Sequence, residues 1–144
     1  MAGVRFAQNS ASVSTSTSAK TIAQVTAPSN TGLVVDEIDV SFDGTSSTGP
    51  KVLVEILRSM TSGTGTTNNP VKTNVCDDET LQCTGKDNFT IEPSGGTVID
   101  QQLVHPQAGA SFRRRYRVKG GETLSIRTTV STAVNARSRI GGEE

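Results

Sequence analysis

The residues that could do chemistry in this sequence are few and far apart. The only histidine, His105, stands in Leu-Val-His-Pro-Gln. A lone imidazole has no second ligand to complete a zinc site and no nucleophile beside it to activate. A strand-end histidine, hydrogen-bonded locally or solvated, is expected instead. Cys76 and Cys83 flank the acidic trio Asp77, Asp78 and Glu79. These carboxylates lack the Asp-x-Asp-x-Asp-Gly spacing of a calcium loop, so a solvated acidic loop is expected. A disulfide between the cysteines would need an oxidising destination, whereas assembly in the cytosol favours thiols. Gly63-Thr64-Gly65 lacks the Gly-Lys-Ser/Thr ending and following helix of a phosphate loop. Asn88-Phe89-Thr90 fits the glycosylation sequon, read here as a chance match. No enzyme, metal, cofactor or small-molecule substrate is expected from these residues.

Charge spacing is more informative. Arg113, Arg115, Arg117 and Lys119 recur at every second residue, so on a strand they share one face over ~20 Å at about 3.3 Å per residue. Like charges in a row repel unless something acidic faces them. Glu37 and Asp39, with Asp36 beside them, could supply that complement within one subunit or across an interface, and an acidic surface on another protein would serve equally. Plain solvation of the strip is the bland alternative. Nucleic acid fits less well, because fourteen basic and fourteen acidic residues cancel and no exposed aromatics interleave with the arginines. The same balance argues against an anionic membrane. The longest apolar run is far below the ~20 residues of a spanning helix. MAGVRFAQNS lacks the apolar segment of a signal peptide, so synthesis in the cytoplasm is expected.

The elements that would hold these charges read as strands. The segment 33–58 is the most apolar, and its first half alternates Val34, Ile38, Val40 and Phe42 against Glu37, Asp39 and Ser41, with Asp36 breaking the apolar parity. Turn formers fill 43–50. Val52, Leu53, Val54, Ile56 and Leu57 are apolar on both parities, which predicts a strand covered on both faces by a second sheet or a neighbouring chain. A first strand is predicted at 20–26, a long loop at 61–75, and weak strands at 80–84 and 88–91 separated by a turn at Gly85-Lys86-Asp87. A strand over 97–105 follows. Then come Phe112, Tyr116 and Val118 opposite the basic row, with Arg114 intruding on the apolar face. Gly120-Gly121 makes a hairpin turn to a strand around Leu124 and Ile126, and a last run pairs Val134, Ala136 and Ile140 against Asn135, Arg137 and Arg139. About eight short strands and no helical period predict an all-β, antiparallel, jelly-roll-like β-sandwich.

Residues 1–19 form a Ser/Thr-rich tract with almost nothing to bury, which predicts a flexible N-terminal arm outside a single sandwich domain of 20–144. Val4, Arg5, Phe6 and Val13 are its candidate contacts with a neighbouring subunit or another partner, by strand addition to a sheet edge. Hydrophobic content of 33%, with four Phe, one Tyr and no Trp, lies below the ~45% apolar share of ordinary globular chains. A core this thin predicts further apolar burial between subunits, hence an oligomer.

Several stretches carry a family resemblance. They are T-I-A-Q-V-T-A-P at 21–28, E-I-D-V-S-F-D-G-T-S at 37–46, P-K-V-L-V-E-I-L-R at 50–58, D-D-E-T-L-Q at 77–82, E-P-S-G-G at 92–96 and H-P-Q-A-G at 105–109. This pattern of core and turn residues over about 20–130 resembles the cement or decoration proteins of tailed-phage heads. The resemblance implies a β-sandwich homotrimer on the outside of the expanded capsid, with the major capsid protein as partner and the virion as location. The Ser/Thr arm and the arginine-rich strand depart from the pattern. A small self-assembling coat or tail protein, and a β-sandwich module for carbohydrate or host recognition, remain as alternatives.

Overall fold

The computed structural model describes residues 3–43, 49–61, 63–74, 76 and 78–144. Part of the loop expected at 43–50 lies outside the described residues, as do Ser62, Val75 and Asp77. In chain order the strands are β1 (Arg5–Asn9), β2 (Val13–Ser14), β3 (Lys20–Thr26), β4 (Leu33–Asp43), β5 (Val52–Met60), β6 (Thr64–Thr67) and β7 (Val71–Lys72). There follow β8 (Thr84–Ile91), β9 (Gly95–Val104), β10 (Ala110–Phe112), β11 (Tyr116–Val118), β12 (Thr123–Thr129) and β13 (Asn135–Glu143). Every pairing among them is antiparallel, and the described residues contain no helix. One sheet runs β10-β4-β13-β1-β7, with β11 also on β4 and β2 also on β13; the second runs β6-β8-β3-β12-β5-β9.

The two sheets pack as a sandwich, because the apolar parity of each strand needs a partner face. Ile38, Val40, Phe112 and Ile140 from the first sheet meet Val25, Val54, Ile56 and Ile126 from the second in one buried cluster. Each such side chain contributes about 1.5–3 kcal/mol by leaving water. β5 is covered on both parities, as its sequence predicts: Val52, Val54 and Ile56 lie in the cluster while Leu57 and Glu55 are buried on the other side.

The parity break at Asp36 is a β-bulge. β4 pairs Glu37 with Gly141 but Val35 with Gly142, so Asp36 has no opposite number in β13. An inserted residue flips the side-chain alternation. Leu33 and Val35 therefore take the core side below the bulge, while Ile38 and Val40 take it above. Val34, expected in the core row, is only half-buried.

Two expectations are corrected. The turn at Gly85-Lys86-Asp87 is the interior of the continuous strand β8. Asp87 is buried there, accepting from the Ala11 amide at 2.9 Å and Asn68 Nδ2 at 2.8 Å. The loop at 61–75 contains β6 on one sheet and β7 on the other, and Gly65 permits this by lying against the Asp87 carbonyl and the Phe89 ring.

The larger correction concerns the arm. β1 pairs with β13 from Arg5↔Glu143 to Asn9↔Arg139, and β2 pairs Val13 with Ala136. Phe6 and Val13 belong to the core cluster. Gln8, also buried, donates through Nε2 to the carbonyls of Gln24 at 3.1 Å and Asn68 at 2.8 Å, tying the first sheet to the second. The expected flexible segment is thus a structural strand of its own domain. Its small polar residues suit a tightly paired interior strand as well as they suit disorder.

Candidate functional site

The bulge in β4 and the register of its neighbours determine which charges meet. On the face of the first sheet away from the core, Asn9, Arg139, Asp39 and Ser111 stand side by side on β1, β13, β4 and β10. Arg139 Nη1 lies 2.6 Å from Glu37 Oε2. Arg113 reaches across the end of β10 to both Asp39 oxygens, at 2.9 and 3.1 Å, and to Glu37 at 3.9 Å. The Ser111 hydroxyl donates to Asp39 at 2.5 Å. Arg5 forks onto Asp36, at 2.7 and 3.2 Å.

Asp36, Glu37 and Asp39 of β4 are thereby neutralised. Burial alone would raise the Asp39 carboxyl, but the Ser111 and Arg113 donors outweigh it and hold the group below its ordinary value. The Arg5 fork does the same for Asp36 against a smaller opposing effect of burial. These pairs are more than a third exposed, so their worth as stabilisers is small.

Of the four expected basic residues, only Arg113 makes the anticipated pair. β10 ends at Phe112↔Ile38 and β11 begins at Tyr116↔Val35, so three arginines on one side span two β4 residues on the other. That extra residue breaks the strand expected to be continuous. Arg115 is left as an electrostatic neighbour of Asp36 without contact, Arg117 lies in register with Val34, and Lys119 follows the strand's end. Among the described residues, Arg115, Arg117 and Lys119 form no ion pair, and all three are exposed. Arg117 and Lys119 line an open cleft of about 460 Å³ with Leu33, Arg58, Val118 and Glu122. The sign there is basic: three cations face one carboxylate.

Val4, Phe6 and Val13, expected as arm contacts, are 4%, 1% and 1% exposed and cannot reach a partner from this position. Arg5 is engaged by Asp36. Sequence reading overlooked Arg139 and Arg5 as the partners of the β4 acids, because those pairings depend on β13 and β1 flanking one another across the whole chain. It also overlooked Asp100. This carboxylate on β9 accepts from Tyr116 Oη at 2.6 Å and lies 3.7 Å from Arg114 Nε, so one acid of the second sheet joins two β10–β11 residues of the first. Arg114 intrudes on the apolar parity because it turns toward Asp100. A further cross-strand pair, Arg127 with Glu55 at 3.1 and 3.2 Å, lies in register on β12 and β5.

The chemistry-bearing residues stay apart. His105 Nδ1 accepts from the Gln107 amide at 3.2 Å in the turn after β9. Cys83 is buried and Cys76 exposed, both free thiols. Burial, then the neighbouring Glu144 carboxylate, pushes the Cys83 thiol up to about 12. No group of three or more His, Cys, Asp or Glu is gathered for a metal among the described residues. An open groove of about 560 Å³ runs between the 106–111 turn and the charged face of β4 and β13. What the surface offers is recognition by charge and by strand edge. Comparison with protein-family models, curated proteins and solved structures returned no match.

Proposed function

We propose that this chain is a structural virion protein, a decoration (cement) protein with a jelly-roll body. It sits as a homotrimer on the outside of a phage-like head and stabilises the shell by bridging coat subunits. The observation that carries this reading is the unpaired basic edge of Arg115, Arg117 and Lys119 with Arg58 in the adjoining cleft. It stands beside a face on which Asp36, Glu37 and Asp39 are already paired with Arg5, Arg139 and Arg113, and such an edge suits an acidic protein surface. The resemblance of 20–130 to head decoration proteins supplies the particle. The N-terminal strands lie outside this binding edge, since Phe6 and Val13 are committed to the core.

The test is binding of purified protein to expanded heads that lack it. Arg115→Glu/Arg117→Glu/Lys119→Glu is expected to abolish binding while keeping the wild-type melting temperature. Undiminished binding by the folded variant would remove the basic edge from the reading. A second reading, a small coat or tail protein that assembles with itself, is favoured by the exposed apolar residues of β9. Shells that form without this protein would exclude the coat role. Carbohydrate recognition has less support, because an exposed aromatic platform normally serves it and the single Tyr is buried.

A further inference from the structure

A sheet has two edges, and three of the four in this sandwich are blunted. β10 and β11 are three residues each, split by a bulge that holds Arg113, Arg114 and Arg115, and β11 carries Arg117. β7 is two residues long and bears Lys72, and β6 is a four-residue run of Thr and Gly. Short strands, charges and bulges are the usual protections of an exposed edge. β9 is different. It is ten residues long, contains no Lys, Arg or Pro, and among the described residues is paired on one side only, by β5. Ile99 and Leu103 on it are 36% and 62% exposed. Its own bulge, at Ile99 opposite Ile56 and Leu57, lies at one end of this run, and from Asp100 to Val104 the strand pairs with β5 without a shift. The strand's one charge, Asp100, is engaged by Tyr116 and Arg114 of the same chain.

We infer that β9 is a self-association edge, pairing antiparallel with β9 of a second copy of this chain about a twofold axis at Gln101. An antiparallel pair related by a twofold normal to the sheet must be centred on a residue, since opposite residues share a face. Centring on Gln101 sets Ile99 of each copy opposite Leu103 of the other, Asp100 opposite Gln102, and Gln101 opposite itself. Centring on Asp100 opposes two carboxylates and places Ile99 against Gln101. Centring on Gln102 sets Leu103 against Gln101 and Asp100 against Val104. Only the Gln101 axis matches apolar with apolar and avoids like charges. A formal net charge of +0 adds no long-range repulsion between copies. The contact is separate from the capsid reading and does not rest on it. A trimer built on other surfaces would carry three such edges, and the same twofold would link one trimer to the next.

Cysteine cross-linking of the full chain tests the register. In a Cys76→Ser background, Gln101→Cys is expected to form a disulfide-linked dimer under mild diamide oxidation. Ile99→Cys and Leu103→Cys are expected to cross-link with each other on mixing, but neither with itself. Leu103→Lys in the Gln101→Cys chain is expected to abolish the dimer band with an unchanged circular dichroism spectrum. No Gln101→Cys dimer, self-linking of Leu103→Cys as strong as the mixed pair, or a dimer band that survives Leu103→Lys would each overturn the inference. A Leu103→Lys chain that fails to fold leaves the two cross-linking results to decide.

Discussion

Tyr116 is the one tyrosine in a chain without tryptophan, so absorbance at the phenolate band reports on it alone. Its hydroxyl donates to Asp100 at 2.6 Å, across from β11 to β9. Tyr116→Phe removes the donor and leaves the carboxylate with Arg114 at 3.7 Å. A hydrogen bond to a charged acceptor is worth about 1.5–3 kcal/mol. The Asp100 side chain is 19% exposed and Arg114 76% exposed, so water can partly replace the lost donor and the lower end, about 1.5 kcal/mol, applies. For a chain of this size that lowers the melting temperature by about 3–6 °C. A phenol ordinarily ionises near ~10; burial first, then the Asp100 hydrogen bond and charge, raise Tyr116 above that. The folded state therefore holds a proton that the unfolded chain gives up, so this contribution is complete below pH ~10 and is lost as pH rises past it. In an alkaline titration the phenolate signal is expected only above the ordinary range or together with unfolding, and Asp100→Asn should bring it down. Reversible ionisation near ~10 in the folded protein, or an unchanged melting temperature for Tyr116→Phe, would refute the link.

Three further outcomes can be checked directly. Native protein should react with a thiol reagent at Cys76 alone, Cys83 joining only in denaturant, because Cys83 is buried and its thiol is pushed up to about 12; two fast thiols per chain would contradict this. Gly142→Ala should cost about 1–3 kcal/mol in denaturant unfolding, since a Cβ there would run into the Val34 carbonyl and lie 2.9 Å from Val35 Cα and 3.1 Å from the Phe6 ring; a neutral substitution would mean the strands part easily. Deleting residues 2–15 removes β1, β2 and the buried Phe6, whose truncation alone costs about 3–5 kcal/mol. Against a typical stability of about 5–15 kcal/mol, the truncated chain should lose its cooperative melt, and a native-like melt would restore the arm as an appendage.

The alternating strands were legible because each buries one parity: Phe112, Tyr116 and Val118 are buried and Arg113, Arg115 and Arg117 exposed, as their spacing implies. The two-sided burial of β5 was legible for the same reason. What composition concealed was pairing over long separations. Ala7, Gln8, Ser10 and Thr15 are small or polar, yet all are buried, because β13 lies along β1 and β2 from the far end of the chain. Asp87 defeats a hydropathy reading in the same way. Its carboxylate is buried only because Ala11 and Asn68 supply donors from two other segments. Of the basic row expected to face Glu37 and Asp39, Arg113 alone does so, because the bulges at Asp36 and at 113–115 shift the register and Arg139 and Arg5 take the other places.

That reassignment alters the argument from net charge. Three acids of β4 are satisfied by arginines from three places, Arg5 on β1, Arg139 on β13 and Arg113 beyond β10. Had the basic strand instead lain flush against β4, its cations would have been consumed there and the edge left neutral. Because Arg5 and Arg139 take two of the acids, Arg115, Arg117 and Lys119 remain as an unbalanced group, offset in the total by exposed acids such as Asp43, Asp78 and Glu79. A formal charge of +0 is therefore compatible with a strongly polar surface. Opposed patches orient a molecule as it approaches a charged partner, an effect that fades once the separation exceeds the Debye length of about 8 Å at physiological salt. The whole-chain balance thus says little about an acidic partner surface, which is met by one edge at a time.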